Sequence, residues 1–143
     1  MTARRAVVAA LAAIGLQGGA RGAGAASPID ADRRGHDAAL RMRQLAESWG
    51  DQSYGAVIVL DGRIVGEGPS RVVRDADPDA HAERVAIRDA LARLGTPTLA
   101  GAVLYSTSRA CAACENAAAR AGVVRMVHGA ALVDAVRPVD RSR

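Results

Sequence analysis

The chain has 143 residues, half of them apolar, which is enough for one domain with a modest core and too few for two. Its formal charge of +4 comes mostly from Arg4, Arg5 and Arg21 in a leader without acids, because 16 arginines face 15 acids in the remainder, about +1. A near-neutral domain with 2% aromatic residues lacks the basic surface of a polyanion binder, so we expect no nucleic-acid partner.

Residues 1–26 show the order of features that is typical of a cleaved export signal. Arg4 and Arg5 form a charged start, the apolar run at 6–16 is too short to span a bilayer, and small residues follow. The sequence therefore predicts an exported, periplasmic protein with a mature domain at residues 27–143 and no stable membrane anchor after cleavage. The paired arginines also resemble a twin-arginine signal, and the export route stays open, as does a simple Ala-rich tail.

The first half of the domain predicts a helix followed by a β-hairpin. Residues 30–48 have helical periodicity, and the unbroken apolar run at 54–60 is typical of a strand covered on both faces. Asp-Gly at 61–62 favours a two-residue turn, because both turn positions need positive φ, and 63–68 then form the partner strand. The expected core side of the helix consists of Leu40, Leu45 and Trp49.

The second half predicts two further helices, each preceded by a strand of the same sheet. Residues 81–94 form a helix that Asp79 is expected to cap. A strand at 102–106, a helix at 111–120 and a strand at 123–128 follow with short links, which indicates a right-handed parallel βαβ unit. The pattern predicts an α/β domain. The expected core side of the 81–94 helix consists of Ile87, Leu91 and Leu94.

Three possible metal ligands stand at the starts of these two helices. His81 begins one helix, and Cys111 and Cys114 begin the other. We expect both helices to cover the same face of the sheet, so their N-terminal ends converge, and their positive dipole ends favour thiolates there. Two thiolates and one imidazole leave a tetrahedral Zn²⁺ with one open position, which is the pattern of a catalytic rather than a structural zinc site.

Glu83 stands two residues after the predicted histidine ligand. Zinc lowers the pKa of a bound water toward about 7, so that hydroxide is available at neutral pH. Glu83 is then placed to take the proton from that water and to deliver it to a ring nitrogen and the leaving ammonia. His-x-Glu followed by Cys-x-x-Cys is the pattern of zinc nucleobase deaminases. The sequence therefore predicts hydrolysis of an amidine C–N bond, with Zn²⁺ as cofactor.

Several motifs occur in a fixed order along residues 53–131. They are Gly-Glu-Gly at 66–68, Asp-Pro-Asp-Ala-His-Ala-Glu at 77–83, Leu-Tyr-Ser-Thr at 104–107, Cys-x-x-Cys at 111–114 and Val-Val-Arg-Met-Val-His-Gly-Ala at 123–130. Together they resemble the cytidine and deoxycytidylate deaminase superfamily, nearest the branch of bacterial tRNA adenosine deaminases and guanine deaminases. The resemblance implies a three-layer α/β/α sandwich around a four- to five-stranded mixed sheet. It also implies a nucleobase, nucleoside or related heterocycle as substrate, and a possible homodimer.

Departures from the family pattern concern the substrate. Arg109-Ala110 replaces the family's Glu-Pro before the first metal cysteine. The cation near the metal either favours an anionic substrate group or points to solvent, and both alternatives stay open. The family's substrate-contacting Asn corresponds here to the shorter Ser70. We therefore expect substrate contacts from Ser70 and Ala82, and from Arg109 because of its position beside the metal cysteine. We also expect most of the C-terminal helix with which tRNA deaminases grip RNA to be absent, because the chain ends at Arg143. The predicted export and the near-neutral charge favour a small-molecule substrate.

Two other interpretations remain open at this point. In an oxidising compartment, Cys111 and Cys114 can form a disulfide and act as a redox dithiol, although such a protein has no need of His81 and Glu83. Alternatively, zinc stabilises the fold of a binding module that has no turnover. Neither the substrate nor the oligomeric state follows from the sequence.

Overall fold

The computed structural model describes residues 24–135 and 137–142, so nearly all of the predicted export signal lies outside the described residues. Within the described part, no helix is long and apolar enough to cross a membrane. That part forms three helices and five strands. In chain order they are α1 (Pro28–Ser48), β1 (Gly55–Leu60), β2 (Arg63–Pro69), α2 (Ala82–Leu94), β3 (Val103–Ser106), α3 (Ala112–Ala121), β4 (Arg125–His128) and β5 (Val133–Ala135).

The five strands form one mixed sheet in the order β2-β1-β3-β4-β5. Strands β3 and β4 are parallel with α3 between them, and the other neighbouring pairs are antiparallel. The predicted βαβ unit is therefore confirmed. The hairpin between β1 and β2 turns at Asp61 and Gly62, whose φ angles of 50° and 73° are the positive values that a two-residue turn requires.

Two hydrophobic clusters lie on opposite faces of this sheet. Because successive strand residues point to opposite faces, Leu104 of β3 packs with the buried residues of α2 and α3, whereas its neighbour Tyr105 packs with Ala38 and Ala39 of α1. Helix α1 therefore covers one face and the other two helices cover the opposite face. This arrangement confirms the predicted three-layer α/β/α sandwich.

Helix α1 contacts the sheet through small residues. Ala39 is fully buried, whereas Leu45 is 38% exposed. A Cβ atom on Gly55 in β1 would collide with the carbonyl oxygen of Ala39, so the two backbones touch and only small side chains fit between them. The predicted core side of Leu40, Leu45 and Trp49 was wrong for this reason. The buried residues are Asp32, Gly35, His36, Ala38, Ala39 and Ala46.

A buried polar cluster ties α1 to the sheet beside this alanine contact. Asp32 binds the guanidinium of Arg125 through two bonds of 2.7 Å and accepts the hydroxyl hydrogen of Tyr105 at 2.8 Å. The hydrogen bonds from Arg125 hold the pKa of Asp32 below its usual range against the opposing effect of burial. Burial and the bond to Asp32 raise the pKa of Tyr105 to about 12. The cluster is therefore an ion pair with a neutral phenol at neutral pH.

Two glycines in β2 allow α2 to lie directly against the sheet. A Cβ atom on Gly68 would collide with the carbonyl oxygen of Ala82, and one on Gly66 would collide with that of Ala86. The first turn of α2 is therefore in backbone contact with the end of β2. This contact is the physical role of the Gly-Glu-Gly motif, because it fixes the position from which His81 and Glu83 project.

The N-terminus of α2 differs from the prediction. His81 occupies the N-cap position and its side chain makes no capping hydrogen bond. Asp79 was expected to cap the helix, but its carboxylate instead pairs with Arg84 at 3.0 Å, so that prediction was wrong. The predicted core side of α2 holds for Ile87, which is 5% exposed, and fails for Leu94, which is 40% exposed at the last turn.

Candidate metal centre

Three side chains converge where the N-terminal ends of α2 and α3 meet. His81 and Cys111 are the N-cap residues of the two helices, and Cys114 lies in the first turn of α3. The Nδ1 atom of His81 lies 3.6 Å from Sγ of Cys111 and 3.5 Å from Sγ of Cys114. All three ligand atoms lie within 4.8 Å of one another. The structure thus brings the predicted metal ligands together.

These separations fit a tetrahedral zinc ion. Zinc binds histidine nitrogen at about 2.0–2.1 Å and thiolate sulfur at about 2.3 Å, which at the tetrahedral angle puts nitrogen and sulfur about 3.6 Å apart. The two nitrogen–sulfur distances of 3.6 and 3.5 Å agree with that value. Three protein ligands leave a fourth position for a water molecule or a substrate, as in catalytic zinc sites.

The charges at the centre also fit a bound cation. Glu83 is 7% exposed, and its carboxyl group contacts the thiol of Cys114, which is fully buried. Burial raises the pKa of the Glu83 carboxyl, and it also raises the pKa of the Cys114 thiol, to which the negative charge of Glu83 adds. The buried carboxylate of Glu83 and the buried thiolate of Cys114 need a counter-charge, whereas Cys111 is exposed. A divalent cation between the ligand atoms supplies one and favours the thiolate forms.

Glu83 and two of the metal ligands, His81 and Cys111, open onto a cavity of about 420 Å³. This volume lies in the range of small-molecule sites. Of the predicted substrate contacts, Ala82 and Arg109 line the cavity. Its remaining lining residues are Gln52, Tyr54 and Ser108.

Ser70, the third predicted substrate contact, is fully buried outside the lining of this cavity. Its hydroxyl donates to Oδ1 of Asp51 at 2.9 Å, and its backbone N–H donates to the carbonyl oxygen of Tyr54 at 3.1 Å. Its hydroxyl and its backbone N–H thus both have partners within the protein. Its role toward a substrate stays a prediction.

Gln52 and Tyr54 are cavity residues that the sequence patterns did not indicate. They precede β1, which pairs antiparallel with β3, so they lie beside the loop that leaves β3 toward Cys111. The backbone N–H of Thr107 donates to the carbonyl oxygen of Gly55 at 3.0 Å and continues this pairing beyond the strands. Both residues reach the cavity because β1 pairs antiparallel with β3. The sequence alone does not specify this pairing, so a prediction of it would have been needed to identify them.

Comparison with known proteins agrees with this geometry. Residues 30–130, which include all three ligands, match the family model described as the cytidine and deoxycytidylate deaminase zinc-binding region. A tRNA-specific adenosine deaminase from Haemophilus influenzae is 37% identical over 93 residues, which is 64% of this chain and 54% of that protein. A guanine deaminase from Bacillus subtilis is 45% identical over 64 residues, which is 45% of this chain and 41% of that protein. The chain spans about half the length of these curated relatives.

Solved structures show the same fold. A structure from a study of A-to-I editing by tRNA:A34 deaminases superposes with a TM-score of 0.65 and 34% identity, covering 67% of this chain and 74% of that one. The guanine deaminase of Bacillus subtilis superposes with a TM-score of 0.63 and 33% identity, covering 73% of this chain and 64% of that one. The resemblance inferred from the sequence motifs is thereby confirmed.

Proposed function

Because this chain belongs to the cytidine and deoxycytidylate deaminase family, we propose that it is a zinc-dependent hydrolytic deaminase of a small nucleobase, nucleoside or related heterocycle. One observation carries the proposal. Glu83 lines the same cavity as His81 and Cys111 of the ligand triad, so a site that can hold a metal ion, a proton carrier and space for a small ring lie together. Family members include enzymes named for adenosine in tRNA and for guanine, and the choice among such substrates depends on the cavity wall.

The reaction replaces an exocyclic amine on a ring carbon by oxygen. Zinc, when bound, lowers the pKa of a water molecule and so provides a nucleophile at neutral pH. We assign to Glu83 the transfer of one proton from this water to the ring nitrogen and of another to the departing amine. One C–O bond forms, one C–N bond breaks, and water is consumed as ammonia leaves. The low exposure of Glu83, 7%, limits exchange of these protons with solvent.

Two cavity residues are proposed to bind the substrate beside Glu83. The backbone N–H of Ala82 lies in the first turn of α2, where helical N–H groups have no partner within the helix, and it can therefore donate to a ring substituent. Arg109 is exposed at the cavity wall and supplies a positive charge there. A contact from Ser70 requires its hydroxyl to leave Asp51, and we propose it only as a secondary contact.

A small molecule, rather than tRNA, is the proposed substrate. The support is electrostatic, because the domain without its leader carries a formal charge of about +1, and RNA binders need basic surface to contact phosphates. An exported, periplasmic location for the mature domain at 27–143 is a proposal that rests on the leader sequence alone. A homodimer is a proposal that rests on the family.

Ammonia release by the full-length, zinc-loaded protein tests the proposed function. The panel comprises guanine, adenine, cytosine, guanosine, adenosine and cytidine. We expect turnover of at least one compound, its loss after chelation of zinc, and its return when zinc is restored. If the protein holds stoichiometric zinc and releases ammonia from none of them, the proposed function is wrong.

A further inference from the structure

Asp51 connects the segment that carries Gln52 with the loop that follows β2. It lies between α1 and β1, and its Oδ1 atom accepts the backbone N–H of Gln52 at 2.7 Å and the hydroxyl of Ser70 at 2.9 Å. Its Oδ2 atom accepts the backbone N–H groups of Val73 at 3.0 Å and Arg74 at 2.8 Å. Burial acts to raise the pKa of Asp51, but these hydrogen bonds lower it on balance. The carboxylate is therefore charged at neutral pH, and a charged carboxylate accepts stronger hydrogen bonds than a neutral carboxyl group does.

The loop held by Asp51 has further attachments. The guanidinium of Arg74 lies 4.2 Å from the centre of the Trp49 ring, at the end of α1. Arg71 makes two bonds to Asp75, of 2.8 and 2.9 Å, and its backbone N–H reaches the carbonyl oxygen of Ala80 at 3.0 Å. The end of α1, this loop and the residue before His81 are thus joined in one network.

In this network the hydroxyl of Ser70 has a partner within the protein, whereas the side chain of Gln52 faces the cavity and can bind a substrate. The hydroxyl of Ser70 donates its hydrogen bond to Asp51, and Ser70 is fully buried. Gln52 is held through its backbone N–H, whereas its exposed side chain lines the cavity. Its carboxamide carries one acceptor oxygen and two N–H donors in one plane. Among the residues that line this cavity, it is the single carboxamide, and Tyr54 lines the same cavity.

A carboxamide and an aromatic ring recognise a planar heterocycle in complementary ways. Tyr54 is 47% exposed at the cavity and offers a face on which a ring can stack. The donor and acceptor of a glutamine amide pair with a ring edge where a carbonyl stands beside a ring N–H, because the amide N–H donates to the carbonyl and the amide oxygen accepts from the ring N–H. Guanine and cytosine have such an edge apart from the amine that is replaced, whereas adenine has no carbonyl.

We propose that Gln52 determines substrate specificity by reading the carbonyl edge of an amino-oxo heterocycle, and that Asp51 is the positioning residue that holds it. This inference rests on the proposed function and names the substrate class of the same site. It assigns to Gln52 the recognition role that the family resemblance gives to Ser70. Tyr54 supplies the stacking surface.

Steady-state kinetics of four variants test this assignment with guanine, cytosine and adenine as probes. Gln52→Ala removes the carboxamide, and Asp51→Asn weakens the hydrogen bond that holds the backbone of Gln52. Ser70→Ala removes the hydroxyl to which the family resemblance gives the recognition role. Gln44→Ala is the matched control, because Gln44 is an exposed glutamine on α1 outside the cavity lining. Zinc content and melting temperature of each variant show whether the fold and the metal centre are intact.

We expect wild type to prefer guanine or cytosine to adenine. Loss of two neutral hydrogen bonds in Gln52→Ala is expected to raise KM for the preferred base about 10- to 100-fold, with zinc retained. Gln44→Ala is expected to stay within about twofold of wild type.

Asp51→Asn is expected to raise KM for the same base. In the double variant with Gln52→Ala, the two effects are expected to be less than multiplicative, because both changes disrupt one contact. A purely structural role of Asp51 gives multiplicative effects.

Each outcome separates this inference from the proposed function. Turnover in wild type with an unchanged KM in Gln52→Ala, or with a larger effect of Ser70→Ala than of Gln52→Ala, overturns the role of Gln52 and leaves the deaminase function in place. A wild-type preference for adenine overturns the substrate class. Absence of turnover with any base or nucleoside overturns the proposed function, and the inference falls with it.

Discussion

The Nδ1 atom of His81 lies 3.5 Å from the Sγ atom of Cys114, although 33 positions separate the two residues in the chain. The contact exists because α2 and α3 lie on the same face of the sheet and start at the same end of it. A histidine at one helix start and a Cys-x-x-Cys at the other then complete a site for one zinc ion. The metal centre is thus a consequence of how the two helices pack.

Loss of any one of the three ligands is expected to abolish zinc retention, because two remaining ligands do not hold the ion against dilution or a mild chelator. His81→Ala, Cys111→Ser and Cys114→Ser test this by elemental analysis of the purified proteins. His128→Ala is a control, since His128 is not part of the ligand cluster. A His81→Ala protein that still holds stoichiometric zinc contradicts the assignment of the site.

Glu83→Gln is expected to retain zinc and to lose turnover by about 10²- to 10⁴-fold, because the amide cannot carry the proton between water and the leaving group. Ammonia release and zinc content are measured on the same preparation. Glu115→Gln serves as the control, because Glu115 is also a first-turn acid, at the start of α3, and does not line the metal cavity. Full activity in Glu83→Gln would exclude Glu83 as the proton carrier.

Arg109→Ala is expected to raise KM about tenfold for substrates with a phosphate group, because a charge-assisted hydrogen bond is lost, and to change KM for the free base much less. Arg109 lines both the metal cavity and a second cavity of about 240 Å³. It can therefore contact a phosphate group that extends from a ring bound in the metal cavity. The measurement compares a nucleoside monophosphate with its base, and Arg63→Ala, at the exposed β1–β2 turn, is the control. Unchanged kinetics for both substrates would remove Arg109 from the binding site.

Asp32→Asn is expected to lower the free energy of unfolding by about 2 kcal/mol, because a neutral amide does not replace the paired bonds to Arg125 in a partly exposed ion pair. Denaturant unfolding at neutral pH measures the change. Arg88→Ala removes an exposed ion pair to Asp77 and is expected to cost less than about 1 kcal/mol. An equal effect of the two substitutions would show that the pair of Asp32 and Arg125 contributes no more than a surface pair.

The same cluster predicts a pH dependence with a definite sign. Because the pKa of Asp32 is lowered from 3.8 in the folded protein, its contribution to stability is complete above that value and is lost as the pH falls through the lower, folded pKa. The difference in unfolding free energy between wild type and Asp32→Asn is therefore expected to shrink below pH 3.8. A difference that grows with acidification would contradict this linkage.

Most of the fold that positions the site was predictable from local patterns. Asp61 and Gly62 specify their turn through backbone conformation alone, and the parallel unit around α3 follows from apolar runs separated by short links. The three metal ligands were predictable because each stands at a helix start and the two helices share one face. These features depend on neighbouring residues and on general rules of connection.

The features that the sequence did not predict depend on contacts between distant segments. Leucine periodicity indicated the wrong side of α1, because the closeness of Gly55 to Ala39 admits only small side chains. The bond between Asp32 and Arg125 joins residues 93 positions apart. Gln52 became a cavity residue only through the antiparallel pairing of β1 with β3. None of these contacts has a local signature.

The zinc content of the full-length protein, purified without added metal and measured together with thiol reactivity, tests the central claim most directly. We predict about one zinc ion per chain, with Cys111 and Cys114 unreactive toward a thiol reagent until zinc is removed. A protein without zinc, in which Cys111 and Cys114 form a disulfide, would contradict the claim and would favour a redox dithiol on a deaminase fold.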